Sequence, residues 1–352
     1  MCTAIREVDF NRGDTVTQHT ILEPAVEVSA VEVDRRLAAG WYRVGQYWMT
    51  CSMLVNDRGV RSTVWSRVVL AQHRFKRSHR KLLSKVDRAF DLREGPAVVD
   101  DTREALYQRY LSTTTGARSP TLQEFLVGDF ERDVFATREL SMWQADRLVA
   151  FSWYDVGAST MQSLIGVYDP EFSRMSLGFT TVLLEIREAH RLGLSHHYTG
   201  YVLPGDPSMD YKLRPGAIEY LHTNTGQWRP WDLLDVSTLP VETVRARLEA
   251  LGEALRERGV AAKLVEYPPY RLRADVALLD EPLVLEVDEP QGAGEIATWD
   301  LSHDRYRVLK VSRAYARPLH VDGSEGESVA VWVVRDERTS RSMARLLEWW
   351  SH

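Results

Sequence analysis

Only two cysteines, Cys2 and Cys51, occur in 352 residues. Two thiols cannot build a disulfide framework or a four-thiolate metal centre. Free thiols fit a reducing compartment, so a cytoplasmic location is expected. No run of about 18 apolar residues is present, so no membrane-spanning helix and no membrane partner are expected. The opening stretch MCTAIREVDFNRGDT has acids and no apolar centre, so no signal peptide is expected either. Internal repeats and low-complexity tracts are missing. Cations are in the minority, 44 Lys plus Arg against 50 Asp plus Glu, for a net charge of −6. Taken as an average, that argues against a nucleic-acid partner, because phosphate binding needs cations.

The average conceals two poles. From Arg58 through Lys85 nine Lys or Arg residues occur with no Asp or Glu, which leaves −15 on the other 324 residues. Arg74, Lys76, Arg77, Arg80 and Lys81 fall within nine positions, and Lys85 follows. A charge run is commonly a solvated helix face. Here no acids interleave, so i,i+4 pairing is not its purpose. The run also abuts an expected helix start at Ser78, where backbone donors favour phosphate. The opposite pole, Asp280 to Asp304, holds eight acids and no Lys or Arg.

Apolar residues are 44% and charged residues 27%, an ordinary globular composition. The length suggests two domains: 1–230, a linker at 231–240, and 241–352. In the first, periodicity predicts a helix ending near Ala39 and strands on either side of Gly45. Val60 to Leu70 should pair back as a hairpin across Asn56 to Gly59. Helices are expected at 78–90, 101–112 and 121–127, with Ser78 as a cap and a short strand at Val98-Val99. A meander should follow at 136–144, 147–156 and 159–168, then a helix over 177–192 and a strand over 196–202. In the second domain a helix at 241–258 should precede strands at 260–266, 272–279, 282–288, 305–311 and 329–334. A helix at 337–350 ends the chain.

Four motifs lie close together and in order: Tyr168-Asp169-Pro170, Ser176-Leu177-Gly178, Tyr198-Thr199-Gly200-Tyr201, and Pro207-Ser208-Met209-Asp210-Tyr211-Lys212. This segment resembles the C-terminal part of arginyl-tRNA–protein transferases and of their bacterial relatives, the aspartate/glutamate leucyltransferases. Upstream, Phe75 with Lys76-Arg77-Ser78-His79-Arg80-Lys81 and the strand Gly40-Trp41-Tyr42-Arg43 are similar to family motifs. The resemblance covers about residues 35 to 230. The family's N-terminal cysteine cluster is absent, and His79 stands where Gln is usual.

The resemblance implies an α/β chain of the α+β kind. Its core would be GNAT-like, an acyltransferase core with a mixed, largely antiparallel sheet, followed by a smaller C-terminal α/β domain. It implies an aminoacyltransferase. Arginine or leucine would move from aminoacyl-tRNA to the amine of an acidic protein N-terminus or of a small acceptor. The ester is already activated, and an α-amine with pKa near 8 is partly neutral at pH 7. Alignment and oxyanion stabilisation therefore matter more than a strong base.

Lys212, Tyr211 and Asp210 are the candidate catalytic residues. Arg174, Ser176 and Gly178 have the content of a phosphate-binding helix start: a cation, a capping Ser and a Gly for close approach. Tyr198 and Tyr201 would stack on the CCA end or bond its hydroxyls. For each tyrosine taken singly, strand packing competes with that role. Arg74, Lys76, Arg77, Arg80, Lys81 and Lys85 would contact tRNA phosphates. No cofactor is expected beyond the aminoacyl-tRNA co-substrate, and the oligomeric state stays open.

Two alternatives remain at this point. The phosphate loop alone also suits an acetyltransferase using acetyl-CoA. The stretch 274–288 looks like a PD-(D/E)XK hairpin of the very-short-patch-repair type, in which Asp275, Glu286 and Asp288 would hold Mg²⁺. The Gly and His that usually follow are replaced by Glu289-Pro290-Gln291. A degenerate structural copy is therefore favoured over an active nuclease, and Mg²⁺ is expected only if that domain is active.

Overall fold

The computed structural model describes residues 20–56, 59–114, 119–128, 130–266, 281–287, 293–316 and 329–350. It separates into a larger unit, Thr20–Ser237, and a smaller one described from Thr238 onward.

The larger unit opens with β1 (Thr20–Pro24) and α1 (Ala30–Ala38), whose first turn is capped by the Ser29 side chain. β2 (Tyr42–Val44) and β3 (Tyr47–Cys51) turn about Gly45 and join β1 in a three-stranded sheet ordered β1-β3-β2. β4 (Met53–Asn56) pairs with β5 (Gly59–Ser62). The expected hairpin is therefore shorter than its apolar run. Val64 onward leaves it as β6 (Val64–Val69) and enters the main sheet, because that stretch is buried almost throughout.

α2 spans Arg77–Ala89 and buries His79, Leu83 and Val86. Its N-cap is Lys76, without a side-chain cap bond, so Ser78 lies inside the helix rather than capping it. β7 (Asp91–Pro96) precedes α3 (Asp101–Leu111) and α4 (Leu122–Leu126). The strand expected at Val98-Val99 is instead this earlier, polar edge strand, which apolar patterning could not find. β8 (Arg138–Gln144), β9 (Arg147–Val156) and β10 (Thr160–Tyr168) form the meander. α5 (Leu177–Arg191), β11 (His196–Val202), β12 (Ile218–His222) and β13 (Gln227–Pro230) complete the unit.

The main sheet has eight strands in the order β13-β12-β6-β11-β10-β9-β8-β7. Its pairs are antiparallel except β10 with β11. α3 and α4 pack on Phe151 and Trp153 of β9, while α2 and α5 pack around Val149 and Ala150 of the same strand. Covered on both faces, β9 is buried at eight of its ten positions. Each large apolar side chain so buried is worth roughly 1.5–3 kcal/mol. This is an α+β architecture with a mixed, largely antiparallel sheet, as the sequence led one to expect.

Between β6 and α2, buried His73 places Nδ1 3.1 Å from Nε2 of His190 on α5. Burial lowers the His73 pKa from 6.5 to about 4, assisted by His190, His79, His197 and Arg74. The folded state thus binds fewer protons than the unfolded chain in this window. Stability from His73 is complete above pH 6.5 and is lost as pH falls through about 4. Urea denaturation at stepped pH should show that decline, with a shallower slope in His73→Gln. An equal slope in the variant would assign the acid sensitivity elsewhere.

The smaller unit contains α6 (Pro240–Arg256), β14 (Ala262–Glu266), β15 (Leu283–Val287), β16 (Ala293–Asp300), β17 (Arg305–Ala316), β18 (Val329–Ser340) and α7 (Met343–Trp349). Its strands form an antiparallel meander in chain order. α6 buries Val244, Leu248, Leu251 and Leu255. β16 was not expected from its Gly- and Glu-containing start. The final helix begins later than expected because Glu337 to Ser340 pair with β17. The strand expected at 272–279 lies outside the described residues, as do Asp275 and Asp288; Glu286 lies on β15. Among the described residues, no helix is long and apolar enough to cross a membrane.

Candidate active site

The parallel pair β10–β11 is registered at three positions only, Thr160 with His196, Met161 with His197 and Gln162 with Tyr198. Beyond them β10 continues against β9 to Tyr168, and β11 continues against β6 to Val202. Both strands carry an irregularity at the point of parting. On β10 the register to β9 shifts between Ser163 and Ile165. On β11 the register to β6 shifts between Tyr198 and Gly200. Bulges re-aim strands and recur beside active sites. Past these three pairs the ladder between β10 and β11 stops in the middle of the sheet, and the gap where they part is the candidate cleft.

Tyr42 lies across the narrow end of the cleft. Its hydroxyl donates to the Ser163 carbonyl on β10, and its ring packs against Gly200 on β11. Gly200 has φ +83°, and a β-carbon there would lie 3.1 Å from the Tyr42 ring. Both the backbone conformation and the close approach exclude a side chain. Burial, then the neighbouring Glu185, holds the Tyr42 phenol well above its ordinary pKa, so it remains a donor. Beneath, Glu185 of α5 meets His197 Nε2 at 2.8 Å and accepts from Ser163 Oγ at 3.2 Å. Both residues of that pair are buried.

A 3-10 turn, Pro207–Lys212, forms one lip. Asp206 caps it through Ser208 N–H. Lys212 Nζ donates to the Tyr201 carbonyl at 2.8 Å and sits 5.2 Å from the Tyr201 ring centroid. Tyr211 and Asp210 are exposed beside it. Tyr201 is half-buried, edge-on to Trp65. These four residues come together on β11 and the turn that follows it.

Tyr198 does not join them. It is buried against Trp228, and its hydroxyl accepts from Arg67 at 3.1 Å. Strand alternation turns it to the opposite face of the sheet from His197, so it packs rather than stacks on a substrate.

The other lip is the start of α5. Asp169, fully buried, caps the preceding 3-10 turn Pro170–Met175 and accepts from Arg147 at 2.7 Å. Arg174 and Ser176 are exposed. Ser176 adopts φ +54° and makes no side-chain cap bond, so its expected capping role is absent. A β-carbon at Gly178 would lie 3.0 Å from the Tyr168 ring, so the glycine makes room for that ring.

The basic window divides in two. Arg67 is half-buried and bonded to Glu219 at 2.7 Å, so it is structural. Arg74, Lys76, Arg77, Arg80, Lys81 and Lys85 are exposed, and none forms an ion pair among the described residues. Arg74 and Arg80 donate to nearby carbonyls, and Lys76 Nζ reaches the Arg214 carbonyl at 3.3 Å. Cations at a helix N-terminus oppose its dipole, and α2 has no acid in its first turn. Functional sites are one place where such local conflicts are tolerated.

Tyr42 carries no local sequence signal, because the carbonyl it bonds lies 121 residues away. His79, Phe179 and Arg214 line a small pocket with Lys81 and Lys85. Position is the available signal for two of them: Phe179 follows the Ser-Leu-Gly motif by one residue, and Arg214 follows Lys212 by two.

Residues 102–222, which include β10, α5, β11 and the Lys212 turn, match the family described as "Arginine-tRNA-protein transferase, C terminus". Over this segment the chain is similar to that family. It is 26% identical over 184 residues to an aspartate/glutamate leucyltransferase of Leptospira interrogans, covering 48% of this chain and 68% of that protein. It is 41% identical over 83 residues to an aspartate/glutamate leucyltransferase of Hyphomonas neptunium, covering 24% of this chain and 32% of that protein. Among solved structures, the C-terminal domain of a putative lysylphosphatidylglycerol synthetase from Agrobacterium fabrum is similar over 40% of this chain and 46% of that one. Its identity is 15% and its TM-score 0.32.

Proposed function

We propose that this protein transfers an amino acid, arginine or leucine, from aminoacyl-tRNA to the amine of an acidic N-terminal residue or a small amine. The observation that carries this reading is the family match over the segment that forms the cleft. The basic face of α2, whose cations form no ion pair among the described residues, supports an RNA donor.

The neutral acceptor amine attacks the ester carbonyl at the mouth of the cleft. A C–N bond forms, the C–O bond to the tRNA ribose breaks, and the ribose oxygen takes up a proton as the amine releases one. Lys212 Nζ, which donates to the Tyr201 carbonyl, would stabilise the tetrahedral oxyanion or an acidic acceptor side chain. Tyr211 and Asp210 flank it and would orient the acceptor. Arg174, Ser176 and Gly178 line the donor side.

Incubation with each radiolabelled aminoacyl-tRNA and a peptide beginning with Asp or Glu should give RNase-sensitive label transfer with arginine or leucine. Lys212→Ala should lower kcat by roughly 10²-fold, the usual cost of one oxyanion donor, while leaving tRNA affinity within about two-fold. No transfer with any charged tRNA, or transfer from acetyl-CoA instead, would overturn the proposal.

A further inference from the structure

α5 touches β10 on both sides of its irregularity. Upstream, Glu185 Oε1 accepts from Ser163 Oγ at 3.2 Å. Downstream, a β-carbon at Gly166 would lie 2.6 Å from Thr181 Oγ1, so the glycine lets the helix approach. Ser163 and Gly166 are three residues apart, and a regular strand would turn them to opposite faces. Both face α5 because the extra residue between Ser163 and Ile165 reverses the alternation. The lengths agree with this. Four helical residues, Thr181 to Glu185, rise about 6 Å. Two strand steps cover about 6.6 Å and three cover about 10 Å, so the bulged strand meets the helix at both points where a regular one would overshoot.

The upstream contact is the costly one. Glu185 is buried, and among the described residues it pairs with no Lys or Arg. A carboxylate inside a protein without a cation is expensive, and an apolar side chain would pack there at lower cost. Its other oxygen, Oε2, meets His197 Nε2 at 2.8 Å. His197 Nδ1 has no hydrogen-bond partner among the described residues, so the proton is on Nε2 and the imidazole donates. One carboxylate thus holds a side chain from each parting strand. Ser163 stands at the start of the β10 irregularity, and His197 just before that of β11. The Ser163 carbonyl receives the Tyr42 phenol, and β11 runs on to the Tyr201 carbonyl that receives Lys212 Nζ. A buried polar network satisfied in this way holds one arrangement against its alternatives.

We propose that Glu185 is a positioning residue. By bonding Ser163 and His197 together it fixes the point at which β10 and β11 part, and with it the placing of Tyr42 against Lys212. Its effect on catalysis rests on the transferase reading above; the tie between the strands does not. Hydrogen exchange and transfer kinetics on the full chain test the two together. In Glu185→Leu, amide exchange should quicken about ten-fold or more in 160–168 and 196–202 and stay unchanged in 138–144 of β8. The kcat should fall roughly 10- to 100-fold, the order expected of a misplacement near 1 Å, with KM for aminoacyl-tRNA within about two-fold. Ser163→Ala should do the same more weakly, and the double variant should be no worse than Glu185→Leu. Glu185→Gln, which can accept from one partner and donate to the other, should bring both readouts back to within about three-fold. Should Glu185→Leu fail to fold, Ser163→Ala decides alone. Exchange that quickens evenly across the sheet would mean lost stability only and overturns the proposal. So does a kcat unchanged in both variants, or Glu185→Gln behaving like Glu185→Leu. No transfer by the unaltered protein sinks the transferase reading alone, and exchange then decides the tie.

Discussion

Replacing Arg77, Lys81 and Lys85 together by glutamate should abolish tRNA binding. The three residues are spaced by four, so they form one stripe on α2. All are exposed and outside any ion pair among the described residues, so the fold should survive, as circular dichroism would verify. Each phosphate neutralised contributes about −0.7 to −0.9 to the slope of log K against log salt. Losing three should flatten that slope by roughly two to three, and affinity at low salt should fall by about 10³-fold or more. Fluorescence anisotropy between 50 and 200 mM salt reads both. A slope unchanged in the triple variant would make the stripe an ordinary solvated face.

The second large effect concerns the attachment of the small sheet to the main one. Arg43 of β2 is buried and donates to Asp155 of β9 at 2.7 Å and to Asp133 at 2.8 Å. It also donates to Thr137 Oγ1 and to the Gly45 and Leu126 carbonyls, and lies 4.1 Å from the Phe135 ring centroid. Burial pushes the Asp155 carboxyl up to about 6 even with Arg43 beside it. Arg43→Met strands that carboxylate, and breaking such a buried pair costs about 3–5 kcal/mol. For a unit of this size Tm should fall by roughly 10 °C. Lysine should not rescue, because one ammonium cannot span the acceptors that the guanidinium fork reaches.

The sign with pH is a further check. Asp155 has a folded pKa above its unfolded value of 3.8. Its penalty is therefore absent at low pH and appears as pH rises through the folded pKa. The loss in Arg43→Met should be smaller at pH 5 than at pH 8. Equal losses at both would place the damage in packing rather than charge.

Local patterns were legible in the sequence and long-range registers were not. The β8–β9–β10 meander, α3 and α5 follow from alternation, helical spacing and turn residues that act over a few positions. The motifs that supply Gly178, Tyr201 and Lys212 were visible for the same reason. The divergence of β10 from β11 was hidden, because a bulge is defined by the partner strand and not by the bulged residues. Residue type alone suggests a substrate contact for Tyr198, whereas its face is set by pairing with Gln162. Tyr42 lies more than one hundred residues from the carbonyl it bonds, and no local rule connects them. The total charge misled in a related way, since it averaged an acid-free stripe with acids elsewhere.

At the point where the two strands part, the ladder hydrogen bond that would have satisfied the Ser163 carbonyl is supplied by a phenol. The accounting of backbone polar groups thus closes without the neighbouring strand. The width of the opening becomes a property of one side chain instead of the sheet. A single substitution there would reshape the opening and leave the strands around it in place.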